Sequence, residues 1–125
     1  MSQDLEVKIL SPQQIDAVRA AGNTQIVDVR LPFDFFGGRL PGSINVPGNA
    51  LATTAGAIPL TRKLIVVCDD GQASLKAAQA AVAAGFVDVS VLEGGFDAWS
   101  EADLPVETVS DGIPSPLSLQ AEAGD

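Results

Sequence analysis

The stretch LIVVCDDGQASLKAAQAAVAAGF, residues 64–86, decides how this chain is read. Leu64–Val67 is an apolar, largely β-branched run with no polar alternation, and it leads straight into Cys68. Such a run predicts a central strand buried on both faces, as in a parallel sheet. From Gly71 to Ala84 alanine dominates, with Leu75 and Val82 as the bulkier members, which suits a helix packed closely on that sheet. Gly85 is placed to end it. Cys68 therefore stands where the carboxyl end of a strand turns into a helix N-terminus, the place where open α/β sheets bind ligands. The N–H groups from Asp69 to Ser74 can curl inward around the sulfur and, with the helix dipole, favour a thiolate. Gly71 permits the positive φ that so tight a loop requires. A lone cysteine after an apolar strand is also often just a small buried apolar residue, and position alone does not separate the two uses.

Strand and helix signals alternate on either side of this stretch. Leu5–Ile9 reads as an edge strand, and Ser11-Pro12 as an N-cap followed by proline at the first helical position. That helix carries Ile15, Val18 and Arg19 and ends at Gly22-Asn23. Gln25–Val29 is a short buried strand interrupted by Asp28, Pro32–Phe36 makes one or two helical turns, and Ser43–Val46 is a brief strand. Asn49 to Leu60 reads as a short, loose-ended helix. Val87–Leu92 alternates as a further strand, and Gly94-Gly95 opens a last short helix around Phe96–Trp99. The alternation predicts an α/β fold in three layers, a mostly parallel central sheet flanked by helices.

Composition narrows the chemistry. The 125 residues fit one domain, and 46% apolar with 18% charged residues describes a globular chain. There is no histidine, which removes His-based general acid–base catalysis, Ser-His and Cys-His pairs and most zinc sites, so no metal is expected. The formal net charge is −9, and the seven basic residues are scattered along the chain, with only Arg62 and Lys63 adjacent. With no basic cluster to follow a phosphate backbone or an anionic membrane, neither nucleic acid nor membrane is an expected partner. Solubility, or a basic partner protein, fits the acidity. One cysteine cannot form an internal disulfide, the N-terminus lacks a signal-peptide pattern and no apolar stretch spans a bilayer, so a cytoplasmic location is expected.

Taken together, the motifs resemble those of the rhodanese-like sulfurtransferases over roughly Leu5 to Val106. Ile26–Arg30 (IVDVR) is similar to that family's Asp-Val-Arg strand, and Gly38–Pro47 (GRLPGSINVP) to its Gly-His-Ile-Pro-Gly stretch, with Arg39 where histidine is common. Cys68, Gly71 and Ser74 match its active-site loop. Leu92–Trp99 (LEGGFDAW) looks like its closing motif, followed by Leu104-Pro105-Val106. The resemblance implies a rhodanese-like domain over residues 1–107, with an acidic, Pro- and Ser-containing tail over 108–125. It implies two-step transfer of sulfane sulfur: Cys68 becomes a persulfide at the expense of a small sulfur-containing anion such as thiosulfate, or of a persulfide donor. The sulfur then passes to a thiol or protein acceptor, with no cofactor. The loop Asp69, Asp70, Gly71, Gln72, Ala73 and Ser74 would bind substrate, with Asp28 and Arg30 supporting it as an ion pair or through loop backbone.

The loop departs from the family pattern in charge. Asp69 and Asp70 stand where active members often carry arginine or lysine, and they work against a thiolate and a dianionic donor by like-charge repulsion. They can also simply favour the helix N-terminus. Ala73 supplies neither hydroxyl nor guanidinium, and Ser74 is either a ligand or a helix cap. These departures predict weak thiosulfate activity, and they leave open a catalytically weak protein-binding or thiol-sensing module. Cysteine phosphatases of similar fold end a longer loop in arginine; this loop is shorter and ends in alanine, so it lacks their clamp for a phosphate dianion. Trp99, Phe96 and the Phe33, Phe35, Phe36 cluster are expected in the core, with some of the cluster able to line the mouth of the Cys68 pocket.

Overall fold

The computed structural model describes residues 7–46 and 57–108. The elements follow the order β1 (Val7–Leu10), α1 (Pro12–Ala21), β2 (Thr24–Asp28), α2 (Pro32–Gly37), β3 (Ser43–Asn45), β4 (Lys63–Val67), α3 (Gln72–Ala84), β5 (Val89–Leu92) and α4 (Gly95–Glu101). The helix expected in 49–60 lies mostly outside the described residues, as do the start of the expected first strand and all but the first residue of the expected tail.

The strands form one sheet in the order β1-β5-β4-β2-β3. Every pairing between them is parallel, with Thr24 opposite Lys63 and Asp28 opposite Val67 in the central pair. Among the described residues, the single antiparallel contact is an isolated bridge between Arg39 and Glu107. β4 sits in the middle, and its side chains divide between two cores. Leu64 and Val66 pack with Ala78 and Ala81 of α3, while Ile65 and Val67 pack with Ile15 of α1 and Trp99 of α4. A layer of helices on each face of a parallel sheet is thus built from one strand's alternation. The alanines let α3 lie close to the sheet.

Two expectations need correction. The strand read as Val87–Leu92 starts at Val89, and its residues are all buried and do not alternate, because β5 lies between β1 and β4 with a core on each face. Val87 is exposed in the turn before it. The phenylalanine cluster is not a core unit either: Phe35 is buried, but Phe33 and Phe36 face solvent. A six-residue helix at the sheet margin has room for only one inward aromatic position.

Strand order reverses between β2 and β4: from β2 the chain moves outward to β3, and from β4 it moves the other way to β5. A crevice at the carboxyl ends of these two strands is the expected ligand position in such a sheet.

Candidate active site

That crevice exists, and Cys68 lies in it. A cleft of about 710 Å³ is lined on one side by Val29, Arg30, Leu31 and Asp34, which follow β2, and on the other by Cys68, Asp69, Asp70, Gln72, Ala73 and Lys76. Gly71 and Ser74 complete the loop beneath it. Cys68 is 4% exposed and lines the cleft, while Ser74 is fully buried.

The loop turns its donors onto the sulfur. Gly71, at φ +93°, occupies the left-handed region at the N-cap of α3 and donates its N–H to Cys68 Sγ over 3.0 Å. The Ser74 N–H donates to the same atom over 3.3 Å. Ser74 Oγ lies 3.2 Å from Sγ and donates to the Gly71 carbonyl over 3.2 Å. With the sulfur protonated, the thiol donates to Ser74 Oγ; with the sulfur anionic, the hydroxyl proton can turn toward it. Ser74 sits in the third position of α3 against the sulfur, and Gly71, not Ser74, is the N-cap residue.

The two aspartates behave differently. Asp70 Oδ1 accepts the Gln72 N–H over 3.0 Å, taking the place of a side-chain cap, and stands 4.0 Å from Sγ. Asp69 lies on the cleft wall, where partial burial first and the nearby Asp34 carboxylate second push its carboxyl above the ordinary aspartate value. Arg30 acts in the opposite direction, while Asp97 and Asp28 add to the rise. Ala73 lines the wall with a methyl group.

Behind the cleft side that Arg30 lines, Asp28 and Arg30 are tied together. Arg30 Nε donates to both oxygens of Asp28 and Nη2 to Oδ2, at 2.8–3.1 Å, and Nη2 also donates to the Gly38 carbonyl over 2.6 Å. Its guanidinium lies 4.3 Å from the centre of the Phe96 ring. The Arg30 N–H also donates to Asp28 Oδ1. The pair is therefore an internal tie, and Phe96 is the lid over its cation.

Sequence reasoning missed what Gly94-Gly95 does. The N–H of Phe96 donates to the Cys68 carbonyl over 2.8 Å, and that of Asp97 to the Asp69 carbonyl over 3.1 Å. A Cβ at Gly95 would come within 2.5 Å of those same backbone groups. The first turn of α4 thus clamps the outer side of the cysteine loop, and only glycine allows the approach. Val29, Leu31, Asp34 and Lys76 were also unread as lining residues. The one available signal was Lys76, four residues beyond Gln72 and so on the same helix face. No metal-type cluster of cysteine, aspartate or glutamate exists among the described residues, and none of their helices is long and apolar enough to cross a membrane.

The fold and site define a class: parallel α/β domains that hold a cysteine sulfur in a backbone cradle at the sheet's switch point. Residues 11–102 match the profile of the rhodanese-like domain, and the chain belongs to that family. It is 41% identical over 96 residues to the thiosulfate sulfurtransferase GlpE of Shewanella oneidensis, covering 77% of this chain and 95% of that one. It is 36% identical over 101 residues to the protein of the same name from Pseudomonas aeruginosa, covering 81% and 90%. Among solved structures, the rhodanese-related protein from Thermoplasma volcanium superposes with a TM-score of 0.72 at 28% identity, covering 80% of this chain and 97% of that one. These relatives support a rhodanese-like sulfurtransferase.

Proposed function

We propose that the protein carries sulfane sulfur as a persulfide on Cys68. The observation that carries this reading is the sulfur's hydrogen bonding: two backbone N–H groups and a hydroxyl converge on it in a chain without histidine. Fixed dipoles thus favour the anionic sulfur where a base would otherwise be needed. The thiolate attacks the outer sulfur of a donor. With thiosulfate, the S–S bond breaks and its electron pair leaves with sulfite; with a persulfide donor, the pair leaves with the donor thiolate. An acceptor thiolate then attacks the outer sulfur on Cys68, and the Cys68 thiolate is released. Sulfur is both nucleophile and carrier, so the two steps call for no cofactor. Gln72 and the walls formed by Asp69, Asp70 and Ala73 shape the donor site, while Asp28 holds Arg30 in the opposite side. A single reduced cysteine fits work in the cytoplasm.

The walls also set a preference among donors. Asp34, Asp69 and Asp70 face the cleft against Lys76, since the Arg30 charge is engaged by Asp28. A dianion entering this rim is repelled, so a persulfide donor loads Cys68 faster than thiosulfate does. Asp70, at 4.0 Å from the sulfur, favours a second reading, a thiol-sensing or protein-binding module with little transfer activity. Intact-protein mass spectrometry after incubation with each donor separates them. Gain of one sulfur atom, absent in Cys68→Ser, is the expected result, and an unchanged mass with both donors overturns the sulfurtransferase reading.

A further inference from the structure

Three apolar side chains on and just before helix α2 are left uncovered, and one of them, Leu31, lines the cleft. Leu31 is 67% exposed, Phe33 87% and Phe36 51%. Leu31 and Asp34, on either side of Phe33 in sequence, line the cleft itself. Phe35 is different: it is buried, with the Arg39 guanidinium 4.8 Å from its ring. Exposed aromatics on so short a helix do nothing for the core, and clustered exposed apolar side chains mark contact surfaces.

Charge decides what fits there. The carboxylates Asp34, Asp69 and Asp70 line the cleft together with Leu31, and Lys76 is the one cation of the lining that is not ion-paired. A second copy of a chain with net charge −9 would bring like charge against it. A small anionic donor would gain nothing from Phe33. An apolar anchor flanked by lysine or arginine complements both features.

We propose that the sulfur acceptor is a protein cysteine on a basic segment whose apolar anchor docks on Leu31, Phe33 and Phe36. This rests on the persulfide reading above and names its acceptor. The docked cysteine thiolate, its proton lost to solvent, attacks the outer sulfur on Cys68. The Cys68 S–S bond breaks, its electron pair stays on Cys68 Sγ, and the acceptor becomes the persulfide, with no outside oxidant or reductant.

Two measurements on the full chain test it. In the first, Cys68→Ser protein is titrated with fluorescent peptides sharing a leucine anchor and a cysteine, flanked by lysines in one and glutamates in the other. The lysine peptide is expected to bind about tenfold tighter at low salt, with the gap closing at high salt. Adding Phe33→Ser is expected to weaken it by about fivefold. Equal binding of the two peptides, or no effect of Phe33→Ser, overturns the proposal, as does a sedimentation result showing a second copy covering α2. In the second, persulfide-loaded protein is offered the lysine peptide or 2-mercaptoethanol. Phe33→Ser is expected to lower the peptide-to-mercaptoethanol rate ratio by about fivefold. An unchanged ratio overturns the docking surface while leaving sulfur transfer standing. Selective peptide binding with no sulfur moved to either thiol overturns the transfer reading instead.

Discussion

Cys68 Sγ receives the Gly71 and Ser74 N–H groups at 3.0 and 3.3 Å, with Ser74 Oγ at 3.2 Å. The backbone donors survive any side-chain change, but the hydroxyl does not. Ser74→Ala is expected to slow sulfur loading by about tenfold, the loss of a hydrogen bond to a charged group worth ~1.5–3 kcal/mol, with near-native folding; rapid-quench mass analysis reads it. Asp69 makes a pH prediction. Its carboxyl is held above the ordinary value by partial burial and by Asp34. The folded state thus binds that proton more tightly than the unfolded chain. The resulting stabilisation is full below the unfolded value and is lost as pH rises through the folded one. At neutral pH the ionised carboxylate opposes folding, so Asp69→Asn is expected to raise the thermal midpoint at pH 7 and to change little near pH 3 (about the lower edge of aspartate titration), as scanning calorimetry would show.

At the scale of elements, the loop is held between two helix starts. From inside, the first turn of α3 supplies donors to the sulfur; from outside, the first turn of α4 supplies donors to the Cys68 and Asp69 carbonyls. The closeness of the second contact is visible in Gly95, at φ +63° and with no room for a Cβ against that backbone. Gly95→Ala is expected to cost about 2–4 kcal/mol in urea unfolding and to slow loading as well, because either the loop or α4 must retreat. A slower loading rate with unchanged stability would show that the clamp acts on the sulfur's surroundings alone.

Across the molecule, Asp28 and Arg30 join parts that are distant in sequence. The pair at the end of β2 reaches the Gly38 carbonyl, Asn45 Nδ2 donates to the carbonyls of both residues, and Phe96 of α4 covers the guanidinium. Asp28 is fully buried and Arg30 nearly so. Asp28→Ala would leave a buried cation without its partner, and a loss of about 3–5 kcal/mol in chemical denaturation is expected. Replacing both residues by apolar ones is expected to restore part of that stability while displacing the cleft wall, so stability and sulfur loading would separate.

The class of fold was legible in the sequence because it is written in local pattern. An uninterrupted β-branched run at Leu64–Val67 has no stable place outside a doubly covered sheet, and an alanine-rich stretch closed by Gly85 has few uses but a close-packed helix. The position of Cys68 followed from the same junction, and the separated motifs placed the family. Strand order, by contrast, depends on how the faces of all five strands are buried together, and no window of sequence contains that information. Tertiary structure alone set the switch point between β2 and β4, which brought Leu31, Asp34 and Lys76 to the cysteine's cleft. It also assigned Gly94-Gly95 to the loop clamp and left Phe33 and Phe36 facing solvent. Those outcomes arise from contacts between segments far apart in the chain, where each residue's role depends on what packs against it.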